Sequence, residues 1–371
     1  MGRKDKYMFS DNRTRYWCSI LEHQREVCQG KDIPKSFILE YSEQPGFFFG
    51  IKSESMLMSG EYVGKPVKQD AHVLVAGESG RGKTQCIVLP TMATWTGSQI
   101  ILDVKGDLYG YWDKLNRGTG KMCVHFSLGK SNWKYDPYAP LRHGGTDNLG
   151  GNARDLAMAL IPPSPSVSDP IWIQCAQNFL TGAIIYYYGM DVSFLDTMVQ
   201  IQTRSIGEII DDVCSSENDT AKIYMNKLDE VHGNVISNIG MELSNLAIFV
   251  TDSAIRSVLP TANGESKLLD WQEFNTLQEP RDVILTIPEM TIERSAPMIR
   301  LMVNQLIKTL EQRSQLDYLA RKLPPVLIML DEFSRIGTLP AIKSGLRTLR
   351  SRGVTFALFI QSLADLEENY G

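Results

Sequence analysis

The sequence predicts an α/β protein: a parallel, doubly wound sheet interrupted by an inserted all-α segment. Three observations carry that expectation. A short apolar run, His72-Val73-Leu74-Val75-Ala76, leads into a glycine-rich loop and then a helix-forming stretch. Further apolar runs recur at Ile100-Ile101-Leu102, Met122 to Phe126, Val283 to Ile287, Val326 to Leu330 and Val354 to Ile360, with helical patterns between them. Strands that alternate with helices build parallel sheets. From about Asp147 to Phe249 the chain reads as mostly helical, and α/β signals flank that block on both sides, the pattern of an insertion.

The bulk numbers agree with this class. At 371 residues the chain exceeds a typical single domain and suggests two or more lobes. Its 43% hydrophobic and 22% charged residues are those of an ordinary globular protein. A net charge of -5 argues against a dedicated high-affinity DNA-binding module, which is usually basic. Lys343, Arg347, Arg350 and Arg352 form a local basic cluster, which reads equally as a solvated helix face. The six cysteines contain no C-x-x-C pair and the five histidines do not cluster, so neither a zinc site nor a disulfide framework is expected. No apolar run approaches the ~20 residues of a membrane span.

Taken in order, residues 1 to about 45 are polar and aromatic without a period, and Phe47-Phe48-Phe49-Gly50-Ile51 reads as a strand. His72 to Ala76 reads as a buried strand. The next eight residues, Gly77-Glu78-Ser79-Gly80-Arg81-Gly82-Lys83-Thr84, fit G-x-x-x-x-G-K-[ST], the phosphate-binding loop of an ATPase or GTPase. The glycines let the backbone turn tightly and aim N–H groups at phosphate oxygens, and the helix N-terminus adds partial positive charge. Lys83 should reach the β- and γ-phosphates, and the Thr84 hydroxyl should ligate Mg²⁺. Pro90 should end or kink the helix that follows. Ile100 to Leu102 closes on Asp103-Val104-Lys105-Gly106-Asp107, whose two acids either rim the crevice or cap the next helix.

Pro162-Pro163-Ser164-Pro165 is expected to be a rigid linker. Trp172, Ala176, Phe179, Ala183 and Tyr187 recur on one apolar helical stripe, and Ser237 to Phe249 reads as a further helix. Strand patterns return at Val283, followed by an amphipathic helix carrying Ile299, Met302, Val303, Leu306 and Leu310. The run Val326 to Leu330 should lie at the sheet centre, next to the loop strand, with Asp331 and Glu332 facing the crevice. There Asp331 would hold Mg²⁺ through its water shell, and Glu332 would act as general base on the attacking water. Gln361, just past the last strand, could bind that water or sense the γ-phosphate, or simply be a polar strand end. Arg350 and Arg352 precede that strand. Either could reach a neighbouring subunit's γ-phosphate, form a salt bridge, or contact a nucleic-acid phosphate.

With these motifs in hand, the chain resembles the coupling proteins of type IV secretion and conjugation systems. The resemblance runs from about Gly46 to the end and rests on linked segments. These are His72 to Thr84 with Leu89-Pro90-Thr91, Leu102 to Asp107, Asp169-Pro170-Ile171-Trp172, Leu330-Asp331-Glu332-Phe333, and Leu349 to Gly353 running through Gln361 to Leu366. It implies a RecA-like P-loop NTPase core over 66–140 and 278–371, an all-α domain over 141–277 for cargo recognition, and an N-terminal segment over 1–65. It further implies ATP and Mg²⁺ at a subunit interface, with Lys83, Thr84, Asp331, Glu332 and Gln361 at the nucleotide site and Arg350 acting in trans. The implied assembly is a homo-hexameric ring on the cytoplasmic side of the cell membrane, with single-stranded DNA passing through its centre. The implied partners are that DNA, held without sequence preference, a relaxase or other secreted protein, and inner-membrane components of the channel. Family members usually begin with transmembrane helices and continue past Gln361 with further core strands. Either a soluble piece or a chain whose membrane attachment is supplied by a partner is therefore expected, with a C-terminally incomplete sheet.

Overall fold

The computed structural model describes residues 38–40, 44–50, 61–67, 69, 71–78, 80–117, 119–162, 171–229, 233–261, 266–364 and 366–367. Most of segment 1–65, Ser79, Pro163 to Pro165 and the Asp169-Pro170 pair lie outside the described residues. The strands are β1 (Ile38–Glu40), β2 (Gly46–Gly50), β3 (Glu61–Pro66), β4 (Val73–Ala76), β5 (Ser98–Asp103), β6 (Met122–Ser127), β7 (Trp133–Lys134), β8 (Lys267–Leu268), β9 (Arg281–Thr286), β10 (Val326–Leu330) and β11 (Val354–Ile360).

Six of these form one parallel sheet in the order β4-β11-β10-β5-β9-β6. The apolar runs become strands because both faces are covered, and the side-chain period of two divides each run between two cores. Along β10, Val326, Ile328 and Leu330 enter one core while Leu327 and Met329 enter the other. The same split places Ile100 and Leu102 of β5 opposite Ile101.

One face is covered by α1 (Leu89–Thr94), α2 (Leu108–Asn116) and the small antiparallel sheet β1-β3-β2. Phe47, Phe48 and Tyr62 fill that core, and β2 is pinned to α1 by Phe48 N–H to Thr91 Oγ1 at 3.1 Å and Thr94 Oγ1 to the Gly46 carbonyl at 2.9 Å. Pro90 does not end this helix. The preceding turn, Thr84–Val88, is a widened π-helical one in which Leu89 N–H bonds the Thr84 carbonyl. The wider ring shifts the register where the proline has no N–H to give.

The other face carries the helical insertion, which is the whole crossover from β6 to its parallel neighbour β9. Its main helices are α3 (Leu149–Leu160), α4 (Ile171–Gly189), α5 (Phe194–Thr203), α6 (Ile206–Ser215), α7 (Asp219–Asp229) and α8 (Gly233–Ser244). The expected single apolar stripe understates α4, which buries Gln177 and every residue from Phe179 to Ile185. A helix apolar nearly all round belongs in the middle of a bundle, and α3, α7 and α8 pack around it. Strands β7 and β8 pair at the root of the insertion. Beyond β9, α9 (Ile292–Glu311) and α10 (Pro340–Thr348) lie against the same face of the sheet. Among the described residues, no helix is long and apolar enough to cross a membrane.

Two expectations need correction. Strand β10 is central but does not neighbour the loop strand, because β11 lies between them. Strand β4 is an edge strand among the described residues, and Leu74 is 50% exposed. The apolar character of β4 therefore overstated its burial.

Candidate active site

The phosphate-binding loop leaves the C-terminal end of β4 and is tied across the sheet, Gly77 N–H donating to the Ile360 carbonyl of β11 at 3.1 Å. Gly80 and Gly82 adopt φ of +76° and +81°, a region in which a Cβ is strained. That requirement explains the glycines and aims the loop toward the N-terminus of the next helix. Glu78 and Arg81 form an exposed ion pair at 3.0 Å on the rim. Lys83 lies across the base of the loop, its ammonium donating to the Gly77 carbonyl and, at 3.3 Å, to that of Glu78. Thr84 opens the helix.

Strand β10 delivers Asp331 and Glu332 to the same end of the sheet. Asp331 is buried, and among the described residues its Oδ1 alone accepts a hydrogen bond, from Glu332 N–H at 3.0 Å. Burial raises its pKa and the neighbouring Glu332 adds to the rise; Lys105 and Lys83 oppose it. Glu332 sits at φ +52°, a left-handed conformation uncommon for a side chain of this size and characteristic of constrained functional turns. The turn swings its carboxylate toward β11, where Gln361 Nε2 donates to Glu332 Oε2 at 2.7 Å.

Glu78, Gly80, Arg81, Gly82, Lys83, Thr84, Lys105, Asp107, Asp331 and Glu332 line one crevice of about 180 Å³. The structure separates the two acids after β5. Asp103 is 1% exposed and accepts N–H groups of Gly106 and Leu108 at 2.8 and 3.1 Å, so it anchors the turn. Asp107 rims the crevice. Lys105 also lines the crevice; in the sequence its signal is its place between two acids at the end of an apolar strand.

Arg350 is not brought to this crevice. It is exposed in the turn Arg350–Arg352, before β11, whereas Gln361 follows β11. Seven residues of strand separate the two by about 20 Å. Arg352 is committed elsewhere, its guanidinium donating to the Arg313 carbonyl. Lys343, Arg347 and Arg350 are exposed on or just after α10.

A larger cleft of about 720 Å³ lies between the insertion and α9, lined among others by His143, Asn152, Asp155, Trp271, Asn304 and Lys308. It has no phosphate-binding loop and no strand end, so size alone does not make it the chemical centre.

The profile of the family described as "Type IV secretory system Conjugative DNA transfer" matches residues 32–371. The chain is 24% identical over 358 residues to protein VirD4 of Rhizobium radiobacter, covering 90% of this chain and 48% of that protein. It is 22% identical over 327 residues to the conjugal transfer protein TraG of Escherichia coli, covering 81% of this chain and 50% of that one. It thus spans about half the length of the curated relatives it matches. Among solved structures it is similar to the plasmid coupling protein TrwB in complex with the non-hydrolysable ATP analogue ADPNP, with TM-score 0.62, 13% identity, and coverage of 92% of this chain and 77% of that one. TrwB in complex with ADP and Mg²⁺ gives TM-score 0.59 at 12% identity, covering 83% and 68%.

Proposed function

This chain belongs to the type IV secretory system conjugative DNA transfer family, and from that footing we propose that it is the ATP-hydrolysing core of a coupling protein that moves a DNA–relaxase cargo to the transfer channel. The observation that carries the reading is the convergence of the phosphate-binding loop, Asp331, Glu332 and Gln361 at the C-terminal ends of β4, β10 and β11. In open parallel sheets that edge is where ligands bind.

The chemistry follows from the side chains. The amides of Gly77, Glu78, Ser79, Gly80, Arg81 and Gly82 would cradle the phosphates, and Lys83 would exchange its loop carbonyls for β- and γ-phosphate oxygens. Thr84 and Asp331 would hold Mg²⁺. The donor set fits: two hard oxygen ligands, one a buried carboxylate whose ionised form the surroundings disfavour and a cation would favour. Bound there, Mg²⁺ would neutralise charge on the phosphates. Glu332, oriented by Gln361, would take the proton from the attacking water as its oxygen bonds the γ-phosphorus and ADP departs.

The wider assignments are part of the same proposal. Residues 66–140 and 278–371 form the nucleotide-binding domain, and 141–277 recognises cargo, a relaxase or other secreted protein. Six copies form a ring on the cytoplasmic side of the cell membrane against inner-membrane channel components, with Arg350 serving the neighbour's site. Single-stranded DNA is gripped through its phosphates without sequence preference, which an acidic total charge permits. The alternative is a P-loop ATPase that drives protein effectors without DNA. Steady-state ATP turnover with and without single- and double-stranded DNA, with Glu332→Gln as the blank, separates the two. DNA-stimulated turnover supports the first and DNA-indifferent turnover the second. Absence of any Mg²⁺-dependent turnover in ring-forming protein refutes both.

A further inference from the structure

The turn after β5 is built with unusual care for a surface loop. Asp103, buried at the strand end, ties down Gly106 and Leu108 through its carboxylate and accepts Ile287 N–H at 3.0 Å through its carbonyl. The Thr286 hydroxyl adds a 3.5 Å contact to the same carboxylate. Gly106 lies at φ +80°, and a Cβ there would stand 3.4 Å from Thr286 Cγ2. So constrained a turn fixes where Lys105 stands, which is on the wall of the nucleotide crevice with Lys83, Asp331 and Glu332.

The other two cations of the crevice are engaged within the loop. Arg81 is paired with Glu78, and Lys83 is bonded to loop carbonyls. Lys105 is exposed, and among the described residues no carboxylate lies within ion-pair distance of it. Its charge nonetheless reaches the Asp331 carboxylate, where it opposes the effect of burial as Lys83 does.

We infer that Lys105 is a second cation of the same subunit acting on the terminal phosphate of the nucleotide, across the crevice from Lys83. The inference rests on the nucleotide reading above and adds a residue to it. As water attacks the γ-phosphorus, the bond to the β-phosphate oxygen breaks and Glu332 takes the proton, negative charge is spread over the γ-phosphate oxygens. An ammonium brought to them from a fixed turn lowers that barrier. Lys83, rooted in the loop, serves β- and γ-phosphates together, whereas Lys105 comes from the Asp331 side and serves the γ-phosphate alone.

The test is a pair of affinities in the full chain with Mg²⁺: fluorescent mant-ADP against the mant form of the non-hydrolysable triphosphate ADPNP. Lys105→Gln should leave ADP affinity within about twofold while weakening ADPNP binding about tenfold and cutting turnover by at least as much. Lys105→Arg should recover most of the triphosphate affinity, and Lys83→Ala should weaken both ligands. Equal losses for ADP and ADPNP in Lys105→Gln, or no loss for either, overturns the inference. A wild-type chain that binds neither nucleotide instead overturns the nucleotide reading itself, and the melting temperature of Lys105→Gln, expected unchanged for an exposed residue, separates both outcomes from misfolding.

Discussion

Glu332 is the residue on which the proposed chemistry turns, and its local geometry makes a definite forecast. Its left-handed backbone and its 2.7 Å bond from Gln361 hold the carboxylate in one place. Glu332→Gln keeps the shape but has no basic oxygen for a proton. It should lower turnover by about a thousandfold while ADPNP affinity stays near wild type, since general-base work contributes to the transition state and little to binding. Equal losses in turnover and affinity would instead identify Glu332 as a ground-state binding group. Sequence reading reached this residue because Asp331 and Glu332 end an apolar run that pairs with a phosphate-binding motif. The bond between Glu332 and Gln361 was not legible, since it spans 29 positions and depends on the twist that brings the ends of β10 and β11 together. For Lys105 the motif marked the turn but not its direction, because that depends on Asp103 turning inward to bond Gly106 and Leu108.

At the scale of elements, strand existence was legible and strand order was not. The apolar runs fix a strand but do not say which strands are neighbours. Inserting β11 between β4 and β10 is a tertiary choice made by the helices that connect them. Two side chains hold that arrangement together and neither advertises itself in the sequence. His72 accepts Phe356 N–H at Nδ1 at 3.0 Å, and its Nε2 therefore carries the proton donated to the Leu346 carbonyl at 2.9 Å, joining β4, β11 and α10. Burial first, then the charges of Lys65 and Arg350, hold its pKa below the ordinary histidine value, outweighing the hydrogen bond to Leu346. The unfolded chain thus takes up a proton at higher pH than the folded one, so the stability His72 contributes is complete above about pH 6.5. It is lost as pH falls through the folded value. Denaturant midpoints of wild type and His72→Gln should diverge most at pH 7.5 and converge toward pH 5; a constant difference would mean that the imidazole does not titrate there. Arg313, fully buried, donates to the carbonyls of Phe274, Pro324 and Arg352, bracketing the end of the insertion, the start of β10 and the turn before β11. Burial pushes its pKa down to about 10, so it is still charged at neutral pH. Arg313→Met would strand three carbonyls and should cost about 3 kcal/mol in urea unfolding. A loss under about 1 kcal/mol would show that water satisfies those carbonyls instead.

For the whole molecule, the informative fact is that the site and Arg350 lie at opposite ends of the same sheet. The crevice is built at the C-terminal ends of the strands, whereas Arg350 stands ahead of β11, about 20 Å away along that strand. An arginine so placed cannot serve its own nucleotide, yet it is exposed and unpaired among the described residues. In a head-to-tail ring each subunit shows one face to its neighbour's opposite face, so a residue remote from its own site can complete the next one. The neighbouring Arg352 instead donates to the Arg313 carbonyl, which makes Arg350 the candidate to test first. The proposed ring therefore makes a forecast that no single-chain mechanism shares. Arg350→Ala chains keep an intact crevice, and Glu332→Gln chains keep an intact arginine. Each alone should be nearly inactive, but rings assembled from an equal mixture should regain about a quarter of wild-type turnover, the share of interfaces that pair a working crevice with a working arginine. Turnover in the mixture equal to the mean of the two separate variants would place Arg350 outside the chemistry and leave the exposed basic face of α10 to another partner.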